Sequence, residues 1–242
     1  MTASDPGGAI APSGQLALSV GFNAARRLDN FVPGPNAGCV AALRAVVTGE
    51  SVGHVYLTGP EGSGKTHLLH ASCALAAAGG ARVVYLPMAQ RRALDAAVLS
   101  GMDSAVLVCV DDVDHAAGDG PWELALFNLY NEADAGGARM VFAGRRGPAA
   151  MALADLRSRL SAALVLQLLA PDDAQRRQVL RGRARELGFE LGDDVLGYLL
   201  SRQPRALGHL TALVEDLDRY ALAAQRRVTV ALVREFLDAS GR

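Results

Sequence analysis

The run Gly59-Pro60-Glu61-Gly62-Ser63-Gly64-Lys65-Thr66 constrains this chain more than any other part of its sequence. It fits the P-loop pattern GxxxxGK(S/T) in full, with an apolar stretch at 54–58 before it and a helix-patterned stretch at 66–78 after it. Glycines let such a loop turn its backbone N–H groups inward around phosphate oxygens, and the following helix adds the positive end of its dipole. Lys65 would reach the β- and γ-phosphates, and the Thr66 hydroxyl would ligate Mg²⁺. Of the 24 basic residues Lys65 is the single lysine, every other being arginine. A lysine kept in such a chain marks a place that needs a compact ammonium on a flexible stem.

A strand that feeds this loop and then a helix belongs to an α/β architecture, and the rest of the chain agrees. Short β-rich runs at 54–58, 82–86, 105–110, 139–143 and 164–168 alternate with helix-like stretches such as 66–78 and 122–135. Nearly all-apolar strands in that alternation predict a five-stranded parallel sheet covered on both faces. After Pro171 the strand signals stop, and 172–187, 192–202, 206–225 and 229–240 read as helices. The expected organisation is a flexible tail over 1–24, an α/β nucleotide-binding domain over 25–170 and a small all-α domain over 171–242. The tail is rich in Gly, Ala, Pro and Ser and has no helical period.

Composition excludes several classes. With 242 residues the chain can build a proper core. Its 24 basic and 25 acidic residues argue against coating nucleic acid through bulk charge. Mean hydropathy is +0.18, yet no apolar run approaches the ~18 residues of a membrane span. The N-terminus lacks the features of a signal peptide. Cys39, Cys73 and Cys109 are odd in number and outside any CxxC pattern, so a disulfide framework is not expected. A soluble cytoplasmic protein follows from these features.

A second chemical element comes about 45 residues after the P-loop, where Val106-Leu107-Val108-Cys109-Val110 runs into Asp111-Asp112. Beside a P-loop this reads as a Walker B strand, with Asp111 holding the Mg²⁺ shell and Asp112 orienting an attacking water. His67 and His70 have metal-ligand spacing, but no Cys or carboxylate accompanies them nearby, and a pair packed on the helix is the better reading.

Gly64-Lys65-Thr66-His67-Leu68-Leu69-His70-Ala71, the pair Asp111-Asp112 and Leu28-Asp29-Asn30-Phe31-Val32-Pro33-Gly34 together resemble the AAA+ core of the bacterial replication initiator DnaA. Within that group the chain is most similar to the Hda family, regulatory inactivators of DnaA. Three stretches carry the narrower likeness: Ala117-Gly118-Asp119 with Trp122-Glu123 and Phe127-Asn128-Leu129-Tyr130-Asn131, then 223–229, then Gln15-Leu16-Ala17-Leu18-Ser19 in the tail. The last is similar to the peptide with which bacterial proteins dock on the replication sliding clamp, the β subunit of DNA polymerase III. An extended peptide can set Leu16 and Leu18 into an apolar groove while the Gln15 amide meets a polar rim.

The resemblance implies further roles, residue by residue. In Asp155-Leu156-Arg157-Ser158-Arg159-Leu160 it puts an arginine finger at Arg159, presented to a neighbouring subunit's ATP. Arg205 matches the sensor-2 arginine that reaches from the lid onto the chain's own nucleotide. The nucleotide-contacting set is then Gly59, Pro60, Glu61, Gly62, Ser63, Gly64, Lys65, Thr66, His67 and Arg205. Arg145 departs from the pattern, standing where the family carries Asp or another small polar sensor-1 residue, and a guanidinium accepts no hydrogen bond. Nucleotide binding with weak or no hydrolysis of its own is the expectation. DnaA continues past its lid into a DNA-reading domain, whereas this chain stops at Arg242, so sequence-specific DNA binding is not expected. The function implied is negative control of replication initiation: an ADP- or ATP-bound protein docks on the DNA-loaded clamp and stimulates ATP hydrolysis by DnaA. Self-association stays open. The alternatives are an autonomous ATPase such as a helicase loader, or a nucleotide-locked adaptor that only binds the clamp.

Overall fold

A computed structural model describes residues 21–93, 95–100 and 105–241; Gln15, Leu16 and Leu18 lie outside the described residues. Strands β1 (Val55–Thr58), β2 (Val83–Pro87), β3 (Leu107–Asp111), β4 (Arg139–Gly144) and β5 (Leu164–Gln167) run parallel in one sheet, in the spatial order β2-β3-β4-β1-β5. Their side chains alternate between two cores, as the pleat requires. Val55, Leu57, Leu107, Cys109, Val141 and Ala143 share one core with α1 (Ala37–Thr48) and α2 (Lys65–Ala78). Tyr56, Val108, Val110, Met140 and Phe142 share the other with α3 (Gly120–Ala135) and α4 (Ala154–Ala162).

The sheet departs from the sequence expectation at its margins. Strand β3 runs to Asp111 rather than stopping at 110, because Asp111 pairs in register with Pro87. Edge strand β5 leaves Leu164 and Val165 exposed by 47% and 44%, so coverage on both faces holds for the central strands and fails at this edge. No α-helix joins β2 to β3 among the described residues. There the chain makes 3₁₀ turns at Met88–Ala93 and Ala96–Leu99, pinned by buried Met88 and Leu99. The polar Gln90-Arg91-Arg92 breaks any apolar helical period in this crossover. Helix α1 has no counterpart in the sequence reading. It buries only Leu43, Val46 and Val47, a narrow stripe among alanines and glycine. Asn36 at its start exchanges two hydrogen bonds with the Leu169 backbone, at 2.8 and 3.0 Å, tying this helix to the end of β5.

The C-terminal part contains α5 (Asp173–Glu186), α6 (Asp193–Arg202), α7 (Leu207–Ala224) and α8 (Val230–Ser240) around a core of its own, centred on Leu180, Leu196, Leu199, Leu210, Leu213 and Val233. Each helix begins one residue later than its apolar pattern suggests, because Asp172, Gly192, Ala206 and Thr229 are caps in extended conformation. The Asp172 carboxylate accepts from Gln175 N–H at 2.8 Å while the Gln175 side chain accepts from Asp172 N–H, a complete capping box. Among the described residues no helix is long and apolar enough to cross a membrane.

Candidate functional site

Residues 59–66 leave the C-terminal end of β1 and enter α2, so the first N–H groups of that helix open onto the loop. Gly64 caps α2 with φ of 94°, and a Cβ there would lie 2.5 Å from the Phe31 ring. Gly62, at φ 75°, faces the start of α7, where a Cβ would meet Leu207 N at 3.3 Å. Both positions therefore need glycine for conformation and for close approach.

Lys65 is buried, and its ammonium donates to the carbonyls of Gly59 at 2.7 Å and Pro60 at 2.8 Å. Burial lowers its pKa, Arg145 adds to that, and the carboxylates of Asp111, Asp112 and Asp114 pull the other way. Asp111 is buried at the end of β3; its carboxylate accepts the Tyr85 hydroxyl at 2.9 Å and the Asp112 N–H at 3.0 Å. One lone pair per oxygen remains for a cation. Asp112 stands at φ 51°, sparsely populated for a residue with a side chain. Burial and the Asp111 charge push its carboxyl up.

Lys65 and Asp112, though not the buried Asp111, line a cleft of about 1110 Å³ between the loop, the segment around 23–32, and the lid helices α5 and α7. Thr66, Asp112, Arg145, Gln178, Leu207 and His209 contribute to its walls. An ion pair from Arg183 to Glu215 at 2.7 Å holds α5 against α7. The described residues contain no grouping of three His, Cys, Asp or Glu side chains suited to a metal. Thr66 and Asp111 offer only hard oxygen donors, which fits Mg²⁺ held jointly with phosphate oxygens and water.

His67 and His70 both hold the N-terminal segment. His70 Nδ1 accepts Asn23 N–H at 3.1 Å, and its ring lies 4.3 Å from that of Tyr85. Burial, reinforced by Arg26, pushes the His70 pKa down to about 4, so it is neutral and able to accept. His67 Nε2 donates to the Arg27 carbonyl at 3.0 Å, and burial lowers its pKa too. His67 also lines the cleft, so its place beside the loop and its anchoring contact coexist.

Arg205, expected over the chain's own nucleotide, stands apart from the cleft, and so does Arg159, expected to face a neighbouring subunit. Arg205 pairs with Asp173 at 3.4 Å, and that carboxylate also holds Arg176. Arg205 is not among the residues lining the cleft. Arg159, exposed on α4, lies with its guanidinium 5.8 Å over the Tyr130 ring and forms no ion pair among the described residues. Arg157 is committed to the Met151 carbonyl at 2.9 Å.

Two sets of contacts are not legible in the sequence, those of Tyr85 and of Glu123. Tyr85 reaches Asp111 only because β2 and β3 are neighbours. Glu123, 1% exposed, accepts the N–H groups of Gly118 at 2.7 Å, Ala152 at 2.9 Å and Leu153, and so fixes the turn leading into α4. A Glu at the start of a helix marks a favourable dipole position, but nothing local reveals its long-range partners.

A family model described as the bacterial DnaA ATPase domain matches residues 22–167, and one described as the Hda lid domain matches 173–237. Among solved structures, domain III of the Thermotoga maritima replication initiation protein DnaA aligns with a TM-score of 0.76 at 22% identity, over 90% of this chain and 98% of that one. AMPPCP-bound DnaA from Aquifex aeolicus aligns at 0.67 and 22%, over 81% and 66%. The Thermotoga maritima RuvB Holliday junction branch migration motor aligns at 0.59 and 17%, over 82% and 66%. These likenesses show the fold, an AAA+ sheet with a helical lid.

Proposed function

This chain belongs to the bacterial DnaA ATPase family, and on that footing we propose that it is a nucleotide-bound negative regulator of replication initiation that stimulates ATP hydrolysis by DnaA. The Hda-type lid supports the regulatory branch of the family. The observation that carries the reading is Arg159: an exposed guanidinium with no ion pair among the described residues, and not among the residues lining the chain's own cleft. A cation so placed suits the ATP of a partner, where it would stabilise charge developing on the transferred phosphoryl group.

In the cleft, ADP or ATP would lie with its phosphates on the N–H groups of 59–66, with Lys65 beside them and the lid closing over the nucleoside. The Aquifex DnaA structure with AMPPCP supports this use of the fold. Mg²⁺, held by Thr66 and Asp111, would neutralise phosphate charge. Arg145 in place of a small polar residue supports weak turnover by the chain itself. Arg205 would act as the sensor-2 residue once released from Asp173. Gln15, Leu16 and Leu18 would dock on the sliding clamp and so bring Arg159 to DnaA on loaded DNA.

The test is hydrolysis of DnaA-bound ATP with this protein, ADP and DNA-loaded clamp, each omitted in turn. Stimulation that requires both protein and clamp is expected, and Leu16→Ala with Leu18→Ala should abolish clamp binding and the stimulation together. No stimulation with active components refutes the reading. Lys65→Ala is expected to weaken ADP binding by roughly 100-fold, from loss of charge-assisted bonds to phosphate. Titration with a fluorescent ADP measures it. An arginine at this position should fail too, since the buried stem leaves no room for a planar guanidinium.

A further inference from the structure

Arg159 stands in the last turn of α4, and its guanidinium lies 5.8 Å over the ring of Tyr130 on α3. Tyr130 is 5% exposed, and its ring is fixed from behind. It stacks on Phe142 at 6.1 Å and 14°, and Phe142 stacks in turn on Tyr56, its register partner across β4 and β1. His54 meets the Tyr130 ring edge-on at 4.8 Å. Met140 N–H donates to His54 Nδ1 at 3.1 Å, so Nε2 carries the proton and donates to Asp134 at 3.1 Å. Burial pushes the Tyr130 hydroxyl pKa up, Asp134 adds to that, and Arg159 opposes it. The carboxylate on this side of α3 is therefore engaged by His54. Asp155, one turn earlier on α4, forms no ion pair with Arg159 among the described residues. A rigid ring, and not an anion, holds the cation.

We propose that Tyr130 is the positioning residue for Arg159 in the stimulated hydrolysis, its ring presenting the guanidinium to the partner's ATP without neutralising it. A carboxylate in that place would cancel the charge and hold the planar fork, because charge-assisted bidentate bonds are strong. A ring face attracts the cation through its quadrupole and narrows the rotamers of a long side chain, yet leaves the N–H donors free for phosphate. Part of the ordering of Arg159 is then complete before the partner arrives. The inference rests on the arginine-finger reading above, and Tyr130 itself touches no reacting atom.

The test is phosphate release from ATP-bound DnaA with loaded clamp, ADP and rising amounts of the full chain, which separates the maximal rate from the half-maximal concentration. Tyr130→Phe keeps the ring face and is expected to stay within about twofold of the wild type. Tyr130→Leu removes the ring and is expected to lower the maximal rate roughly fivefold or more, with the half-maximal concentration within about twofold. Leucine leaves space beside Phe142, so circular dichroism checks folding. Pentafluorophenylalanine at position 130 serves as the second variant, since it keeps the ring's shape while its face no longer attracts a cation. It should match Tyr130→Leu. Equal maximal rates for the Phe and pentafluorophenylalanine variants overturn the proposal, as does a loss confined to the half-maximal concentration. If Arg159→Ala still stimulates, the finger reading falls and the proposal with it. If Arg159→Ala is inactive while the pentafluorophenylalanine variant is fully active, the proposal alone falls.

Discussion

Arg159→Ala is expected to abolish stimulation of DnaA ATP hydrolysis, a loss of roughly 10³-fold or more if the residue acts as an arginine finger. Phosphate release from ATP-bound DnaA in the presence of loaded clamp reads it. The side chain's own environment makes the experiment clean. Within this chain Arg159 gives up only its contact over Tyr130, worth about 0.5–1 kcal/mol at an exposed site. The variant should therefore fold, and its melting temperature should still rise with ADP. Arg159→Lys keeps the charge but loses the planar fork, and should recover little of the activity. Retention of most of the stimulation by Arg159→Ala would remove the finger and leave the clamp-bound adaptor as the better account.

Glu123→Ala is expected to cost about 3–5 kcal/mol of stability. Its carboxylate serves three backbone N–H groups, on Gly118, Ala152 and Leu153, and each buried donor left without an acceptor costs about 1–3 kcal/mol. Urea denaturation measures the loss; a value under about 1 kcal/mol would mean that water replaces the carboxylate. The same contacts set a pH dependence. Burial alone would push the Glu123 carboxyl up, but the N–H groups of Ala152, Leu153 and Gly118, with Arg157 nearby, outweigh it and hold the group below the usual carboxylate range. A depressed folded-state pKa stabilises the fold above the unfolded value. Glu123 should therefore contribute its full share above about pH 5 and lose it as pH falls below about 4. Glu123→Ala should flatten that acid limb. Leu153 caps α4, so loosening this turn should also blunt the action of Arg159 in variants that remain folded.

The strand–loop–helix unit around 59–66 is legible because its signal is local: glycine torsions, one lysine and the apolar run before it act within a dozen residues. The five strands and four lid helices are legible for the same reason, since their periods and caps are written in consecutive residues. Helix α1 is not, because its small side chains give almost no period and its identity comes from packing on α2 and β5.

Side-chain partners divide in the same way. The pair His67 and His70 shows its helical spacing in the sequence, but not that Arg27 and Asn23 would come back to meet it. Arg205 reads as a sensor-2 arginine by resemblance, but its pairing with Asp173 shows only once α5 is beside it, and Arg145 shows as an anomaly until the loop brings Glu61 across. The sequence by itself determined the phosphate loop, the acidic end of β3 and the lid, because those depend on neighbours along the chain. Only the tertiary structure decided the strand order, the hold of Tyr85 on Asp111, the Glu123 clamp and the seat of Arg159 over Tyr130. Each of these depends on which distant segments the cores bring together, and no local pattern encodes that.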